Sequence, residues 1–164
     1  MRGDFLKKEI KTNAMRYLDT LSIEYDHIDY EIDHEFISSV DLAEENNSDI
    51  KTIYKTLAVE SKDKEVFILV INGGEEIDFK KAARAIGVKS LSMLALKDLK
   101  KTVGYERGAT TPLALKKDFP VFIDNEAKDL EFIKVSAGKV GHSIKIKPDD
   151  LIRATKGTYA DLIK

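Results

Sequence analysis

The feature that most narrows the folds open to this chain is a pair of β-rich runs, Ile53 to Val59 and Val66 to Ile71, separated by the polar stretch Ser61-Lys62-Asp63-Lys64. The second run is six apolar residues in a row, the length of a buried strand and far short of the roughly 18 residues a membrane span requires. Two such runs about a polar turn predict a hairpin, ended by Gly73-Gly74. Around it helix and strand signals alternate. Thr12 can cap a helix carrying Met15, Leu18 and Leu21, Ile28 and Tyr30 suggest a strand, and Ser38 or Ser39 can cap a short helix. After the hairpin, Asp78 caps a helix with Phe79, Ala82, Ala83 and Ile86 at helical spacing until Gly87 stops it. A short strand near Leu91 to Leu94 precedes a helix with Leu96, Leu99 and Val103 on one face and Gly104 as its C-cap. Val121 to Ile123, Phe132 to Val135 and Ser143 to Ile146 read as strands, and Pro148-Asp149-Asp150 opens a last helix with acids on its positive end.

The pattern is that of a mixed α/β protein, and 164 residues suffice for one domain with one core. A chain that is 43% apolar and 34% charged, without low-complexity tracts, has ordinary globular composition. It has no cysteine, hence no disulfide, thiol nucleophile or thiolate metal site. Met1-Arg2-Gly3-Asp4-Phe5 has no apolar stretch of the secretory kind, so a cytoplasmic protein is expected. Residues 24–50 hold ten carboxylates and no Lys or Arg, which leaves a net of +8 on the rest against a total of −2. From 97 to 117, Lys97, Lys100, Lys101, Arg107, Lys116 and Lys117 face only Asp98 and Glu106. Such a cluster can meet phosphates, or it can be a solvated helix face.

Three segments could carry chemistry. In the strand from Ile53 to Val59, Lys55 shares a face with Ile53, Leu57 and Val59. It is either a partly desolvated functional lysine or an edge lysine whose head snorkels out. In Gly104-Tyr105-Glu106-Arg107-Gly108-Ala109-Thr110-Thr111-Pro112, two glycines free the backbone and Pro112 fixes the exit. Such a loop can hold a carbonyl or an anion by main-chain donors, or simply cap a helix and turn. Ser136-Ala137-Gly138-Lys139-Val140-Gly141 reads as a small-residue corner between two strands, without the ending of a phosphate-binding P-loop. His27, His34 and His142 are scattered without ligand spacing, so no metal is expected. Neither a Gly-x-Ser-x-Gly elbow nor Gly-x-Gly-x-x-Gly is present, and no cofactor is expected.

Lys11-Thr12-Asn13-Ala14-Met15-Arg16, Tyr54-Lys55-Thr56-Leu57, Phe79-Lys80-Lys81-Ala82-Ala83 with Ile86-Gly87, Gly104-Tyr105 with Gly108 and Pro112, Phe122-Ile123-Asp124, and Val135-Ser136-Ala137-Gly138-Lys139 occur in the order and spacing of the YbaK/EbsC family. The chain resembles a member over roughly residues 11 to 162. The resemblance implies an N-terminal extension over 1–10 and one deacylase-like domain over 11–164. It also implies a curved, partly barrel-like mixed sheet flanked by helices. The implied activity is that of a free-standing aminoacyl-tRNA deacylase, related to the editing domain of bacterial prolyl-tRNA synthetases. The partners it implies are the aminoacylated tRNA 3′ end and that synthetase, with neither DNA nor membrane. Lys55 then falls on the family's signature lysine and Gly108 to Pro112, with Thr111, on its Gly-x-x-x-Pro loop. Ser136 with Gly138 falls on its Ser-x-Gly segment, and Tyr30 on a pocket tyrosine of the cysteine-specific members. The implied substrate is cysteinyl-tRNA(Pro), attacked by its own thiol, or by water where the amino acid has none. Where those members typically read Gly-Gly-Ile-Ser-Pro-Leu-Gly, this chain has Gly108-Ala109-Thr110-Thr111-Pro112-Leu113-Ala114, which should alter the pocket and reduce backbone freedom. A non-catalytic module binding tRNA ends, nucleotides or a synthetase is the alternative on the same fold.

Overall fold

The computed structural model describes residues 10–29 and 49–164. Its first element, α1 (Asn13–Thr20), starts where Thr12 Oγ1 accepts from the Met15 N–H at 3.3 Å, and it buries Ala14, Met15 and Leu18. β1 (Asp26–Asp29) follows. Tyr30, the helix expected from Ser38 or Ser39, and residues 1–9 of the expected extension lie outside the described residues. The expected hairpin is β2 (Tyr54–Ser61) and β3 (Val66–Asn72), antiparallel from Tyr54↔Asn72 to Glu60↔Val66. α2 (Phe79–Ile86) is capped by the Asp78 carboxylate, which accepts from the N–H groups of Lys80 and Lys81, and ends at Gly87 with φ +91°. β4 (Leu91–Met93) leads into α3 (Leu96–Val103), closed by Gly104 at φ +95°.

The second half holds β5 (Val121–Asp124), β6 (Ile133–Lys139), β7 (His142–Ile146), α4 (Pro148–Thr155) and β8 (Thr158–Ala160). Ser136 to Lys139 is strand, not corner. The β6–β7 register shifts between Ser136 and Lys139, so Ala137 and Gly138 form an irregularity inside β6 and only Val140-Gly141 make the turn. β8 carries no signal in the sequence. It is three residues long, too short for a periodicity to show, and pairs with β5 in parallel.

Strands β4-β2-β3-β5-β8 form a mixed five-stranded sheet, and β1-β7-β6 a three-stranded antiparallel one. An isolated parallel bridge, Ile53 with Lys134, joins them, so the two sheets curl toward a barrel without closing. The unbroken apolar run of β3 follows from this layering. Ile68 and Val70 pack between the sheets with Met15, Leu18, Ile144 and Ile146, while Phe67, Leu69 and Ile71 pack on the outer side with Ala82, Ala83 and Leu162. A strand covered on both faces has no position for a polar residue. No helix among the described residues is long and apolar enough to cross a membrane.

Candidate active site

β2 is paired along its whole length on one edge but not on the other. There β4 covers only Val59 to Ser61, and Ile53 makes the lone bridge to Lys134. Between these points the edge has no strand partner among the described residues, and β6 diverges from it. The gap is a cleft of about 720 Å³. Lys55 and Thr56 of β2, Gly108 and Thr110 of the glycine loop, Ser136 of β6 and His142 of β7 all line it, and Met93, Leu94, Leu96 and Leu99 supply an apolar side. The expected apolar face of α3 is thereby split. Val103 is buried, whereas Leu96 is 60% exposed at the cleft.

Lys55 is half-buried and its Nζ donates to the Gly73 carbonyl at 3.3 Å. Burial pushes its ammonium below the ordinary lysine range, partly opposed by Glu76 and Glu75. Beside it, Thr56 is 8% exposed, and its Oγ1 is buried without a hydrogen-bond partner among the described residues. Ala58 accepts from the Leu94 N–H on the cleft-side edge, and strand alternation turns the main-chain N–H and C=O of Thr56 the same way.

The glycine loop has no ladder and is held by side chains. The Tyr105 hydroxyl, shared between two acceptors, lies 2.7 Å from the Leu113 carbonyl and 3.1 Å from that of Ala114. Thr110 Oγ1 donates to the Glu106 carbonyl at 3.1 Å. Ser136 Oγ donates to the Ala109 carbonyl at 2.9 Å and accepts from the Gly138 N–H at 3.0 Å, so it ties the loop to β6. Gly138 has φ +94°, and a Cβ there would lie 2.8 Å from Tyr105 Cε1, so glycine is needed to seat the ring. Ala114 holds φ +52°, a left-handed conformation in which its Cβ is crowded. Gly108 has φ +85° and lines the cleft. Thr111 and Pro112 are buried behind it, with Thr111 Oγ1 accepting from the Leu113 N–H at 3.4 Å.

Of the basic residues singled out between 97 and 117, Arg107 lines the cleft. The others are exposed outside it. Lys100 pairs with Glu106 at 3.1 Å, Lys101 with Asp98 at 2.8 Å, and Lys116 Nζ donates to the Lys101 carbonyl at 3.1 Å. Lys97 and Lys117 lie on the same exposed stretch.

The sequence gives no site role to Thr56, Lys134 or His142, all of which line the cleft. His142 Nδ1 is 2.9 Å from His27 Nε2, the rings stack at 5.1 Å, and Asp29 Oδ1 lies 3.9 Å away. Burial holds the His142 imidazole below its usual range, against the pull of Asp29. A search for metal-ligand spacing passes over this pair, because only the β1–β7 pairing brings the rings together. No cluster of three or more metal-ligating side chains occurs among the described residues.

The profile of the aminoacyl-tRNA editing domain family matches residues 35–154. The chain is 36% identical over 156 residues to EbsC of Enterococcus faecalis, a candidate Cys-tRNA(Pro)/Cys-tRNA(Cys) deacylase, and the match covers 95% of each. It is 27% identical over 105 residues to the proline–tRNA ligase of Brachyspira hyodysenteriae, which is 64% of this chain and 18% of the ligase. Among solved structures, a candidate trans-editing enzyme for prolyl tRNA synthetase superposes with a TM-score of 0.79 at 16% identity, covering 95% of this chain and 99% of that one. That likeness is one of fold.

Proposed function

The chain belongs to the aminoacyl-tRNA editing domain family, and from that premise we infer that it is a trans-editing deacylase, which hydrolyses the ester joining a wrong amino acid to the 3′-terminal adenosine of tRNA. Cysteinyl-tRNA(Pro) is the substrate that the 36% identity to EbsC favours. The observation that carries the reading is convergence. Lys55, Gly108 and Ser136, from three separated segments, line one cleft.

An aminoacyl ester is already activated, so the protein has mainly to orient it and stabilise the charge that develops on the carbonyl oxygen. Main-chain N–H groups of the loop around Gly108 are the donors suited to that oxygen. The Lys55 ammonium, steadied by the Gly73 carbonyl, supports the adenosine or its ester oxygen. Thr56, whose hydroxyl is buried without a partner, offers a further polar contact to the substrate. Ser136 acts through the loop, since its proton and one lone pair are engaged by Ala109 and Gly138. Thr111, Pro112 and Gly138 set the path of the loop from behind, and Tyr30, which lies outside the described residues, is assigned to amino-acid recognition from the family resemblance.

For cysteine, the substrate's thiol sulfur attacks its own carbonyl carbon. The bond to the ribose oxygen breaks, that oxygen takes the proton the thiol gives up, and a cyclic thioester leaves. For a small amino acid without a thiol, a water molecule attacks instead. The exposed Lys97, Lys100, Lys101, Lys116 and Lys117, with Arg107 at the rim, suit acceptor-stem phosphates, in contacts that weaken with salt. The partial match to a proline–tRNA ligase makes prolyl-tRNA synthetase the natural partner to test.

A panel of misacylated tRNAs, with wild type and Lys55→Ala assayed side by side for turnover and for binding, tests the reading. Hydrolysis of Cys-tRNA(Pro) that is lost in the variant while binding persists supports it. Tight binding by wild type with every ester left intact overturns it in favour of a non-catalytic tRNA-end module.

A further inference from the structure

The described residues that line the cleft carry positive charge. Its described lining includes Lys55, Arg107 and Lys134 but no carboxylate. The aminoacyl end of the substrate carries an ammonium and no negative group, so Lys134, a further cation beyond the Lys55 assigned to the adenosine or ester oxygen, is not there to attract it. The part of the substrate that answers Lys134 is a phosphate.

Lys134 is the cation best placed for one. Its main chain is fixed by the bridge to Ile53, two residues before Lys55, at the point where the two sheets part. Its neighbour across the ladder is Lys145 of β7, and directly opposed residues of an antiparallel pair share a face, so two like charges stand side by side. Lys145 lies over the Phe132 ring at 4.7 Å and has Asp26 opposite it on β1. Lys134 has no hydrogen-bonding or ion-pair partner among the described residues. Burial and the charge of Lys145 hold its ammonium below the usual lysine range, and Asp49 opposes them. A partly buried ammonium with a second lysine opposite it across the ladder is an arrangement that an anion relieves.

We propose that Lys134, backed by Lys145, is a phosphate subsite inside the cleft, which receives the phosphodiester joining the terminal adenosine of the tRNA to the nucleotide before it. The assignment rests on the deacylase reading of the same cleft and deepens it. The exposed lysines between 97 and 117 would meet the stem beyond. Lys134 grips the end of the strand and sets how far the ester reaches toward Lys55 and the glycine loop. It is a binding residue and takes no part in bond cleavage.

The test compares two esters of the same amino acid, 3′-aminoacyl adenosine, which has no phosphate, and 3′-aminoacyl cytidylyl-adenosine, which has one phosphodiester. Lys134→Met keeps the apolar stem and removes the charge. It lowers kcat/KM for the dinucleotide ester relative to the adenosine ester by on the order of tenfold, through KM, and Lys134→Arg restores most of that ratio. Added salt shrinks the wild-type preference in the same way. An unchanged ratio in Lys134→Met, or equal losses on both esters, overturns the subsite. Calorimetric titration with unacylated cytidylyl-adenosine and with adenosine separates the two levels of the argument. If wild type hydrolyses neither ester but binds the dinucleotide more tightly than Lys134→Met does, the deacylase reading falls and the subsite stands. Equal binding by the two proteins sinks the subsite whatever the turnover.

Discussion

On one side of the cleft β2 is held to β3 by an unbroken ladder from Tyr54 to Glu60, and on the other the loop from Gly104 to Ala114 has no ladder. The first side places Lys55 and Thr56 through main-chain bonds that any side chain would permit. The second depends on particular side chains: the Tyr105 hydroxyl on Leu113 and Ala114, Ser136 on Ala109, and the missing Cβ of Gly138 under the Tyr105 ring. Substitution on the ladder side should therefore alter chemistry without loosening the fold, while substitution behind the loop should do both.

The largest effect expected is on the ladder side. Lys55→Ala should slow deacylation by on the order of 100-fold, a magnitude typical of removing one electrostatic stabiliser from a site. Its thermal midpoint should stay near wild type, because the half-buried ammonium makes one bond, to Gly73. A large drop in the midpoint would show that Lys55 holds the hairpin together and erase the contrast. Next comes Gly138→Ala, which forces a Cβ against the ring at φ +94°. It should cost about 1–3 kcal/mol of stability in urea unfolding and lower turnover as well. Retained stability would mean that Tyr105 can move aside and that the loop is not pinned there.

Thr56→Val sharpens the comparison through opposite signs. Removing a buried hydroxyl without a partner should leave stability unchanged or raise it by up to about 1 kcal/mol, while kcat/KM falls roughly three- to tenfold. Loss of stability would assign that hydroxyl a structural partner instead of a substrate. The smallest effect should come from Ala114→Gly. It relieves a left-handed residue at φ +52° and should add up to about 1 kcal/mol of stability, measured by the same unfolding, with little change in turnover. A loss there would mean that the alanine methyl packs well enough to outweigh its strained backbone.

Legibility in the sequence follows the same divide. The hairpin, the caps at Thr12 and Asp78, and the stops at Gly87 and Gly104 could be read because each is a local pattern with a local cause: an alternation, a capping oxygen, or a residue free to take positive φ. The segment from Ser136 to Gly141 reads as a corner in the sequence, because small residues there suggest a turn. Their use is to make room for Tyr105 within a strand. Lys134 carries no sequence signal, and His142 reads only as one of three scattered histidines, for a related reason. Nothing near either in the chain marks it, and each gains meaning from a strand that the sequence places far away: β1 for His142, and the residues about Ile53 for Lys134.

By itself, then, the order of residues determined which elements form, and through motifs in register it named the family and the segments around Lys55, Gly108 and Ser136. Only the tertiary structure decided that one edge of β2 stays open, that Ser136 is spent on the loop, and that three cations share a cleft without a described carboxylate. The reason is range. Capping and periodicity act over a few residues, whereas burial, strand pairing and electrostatic fields act between any parts of the chain that folding brings together.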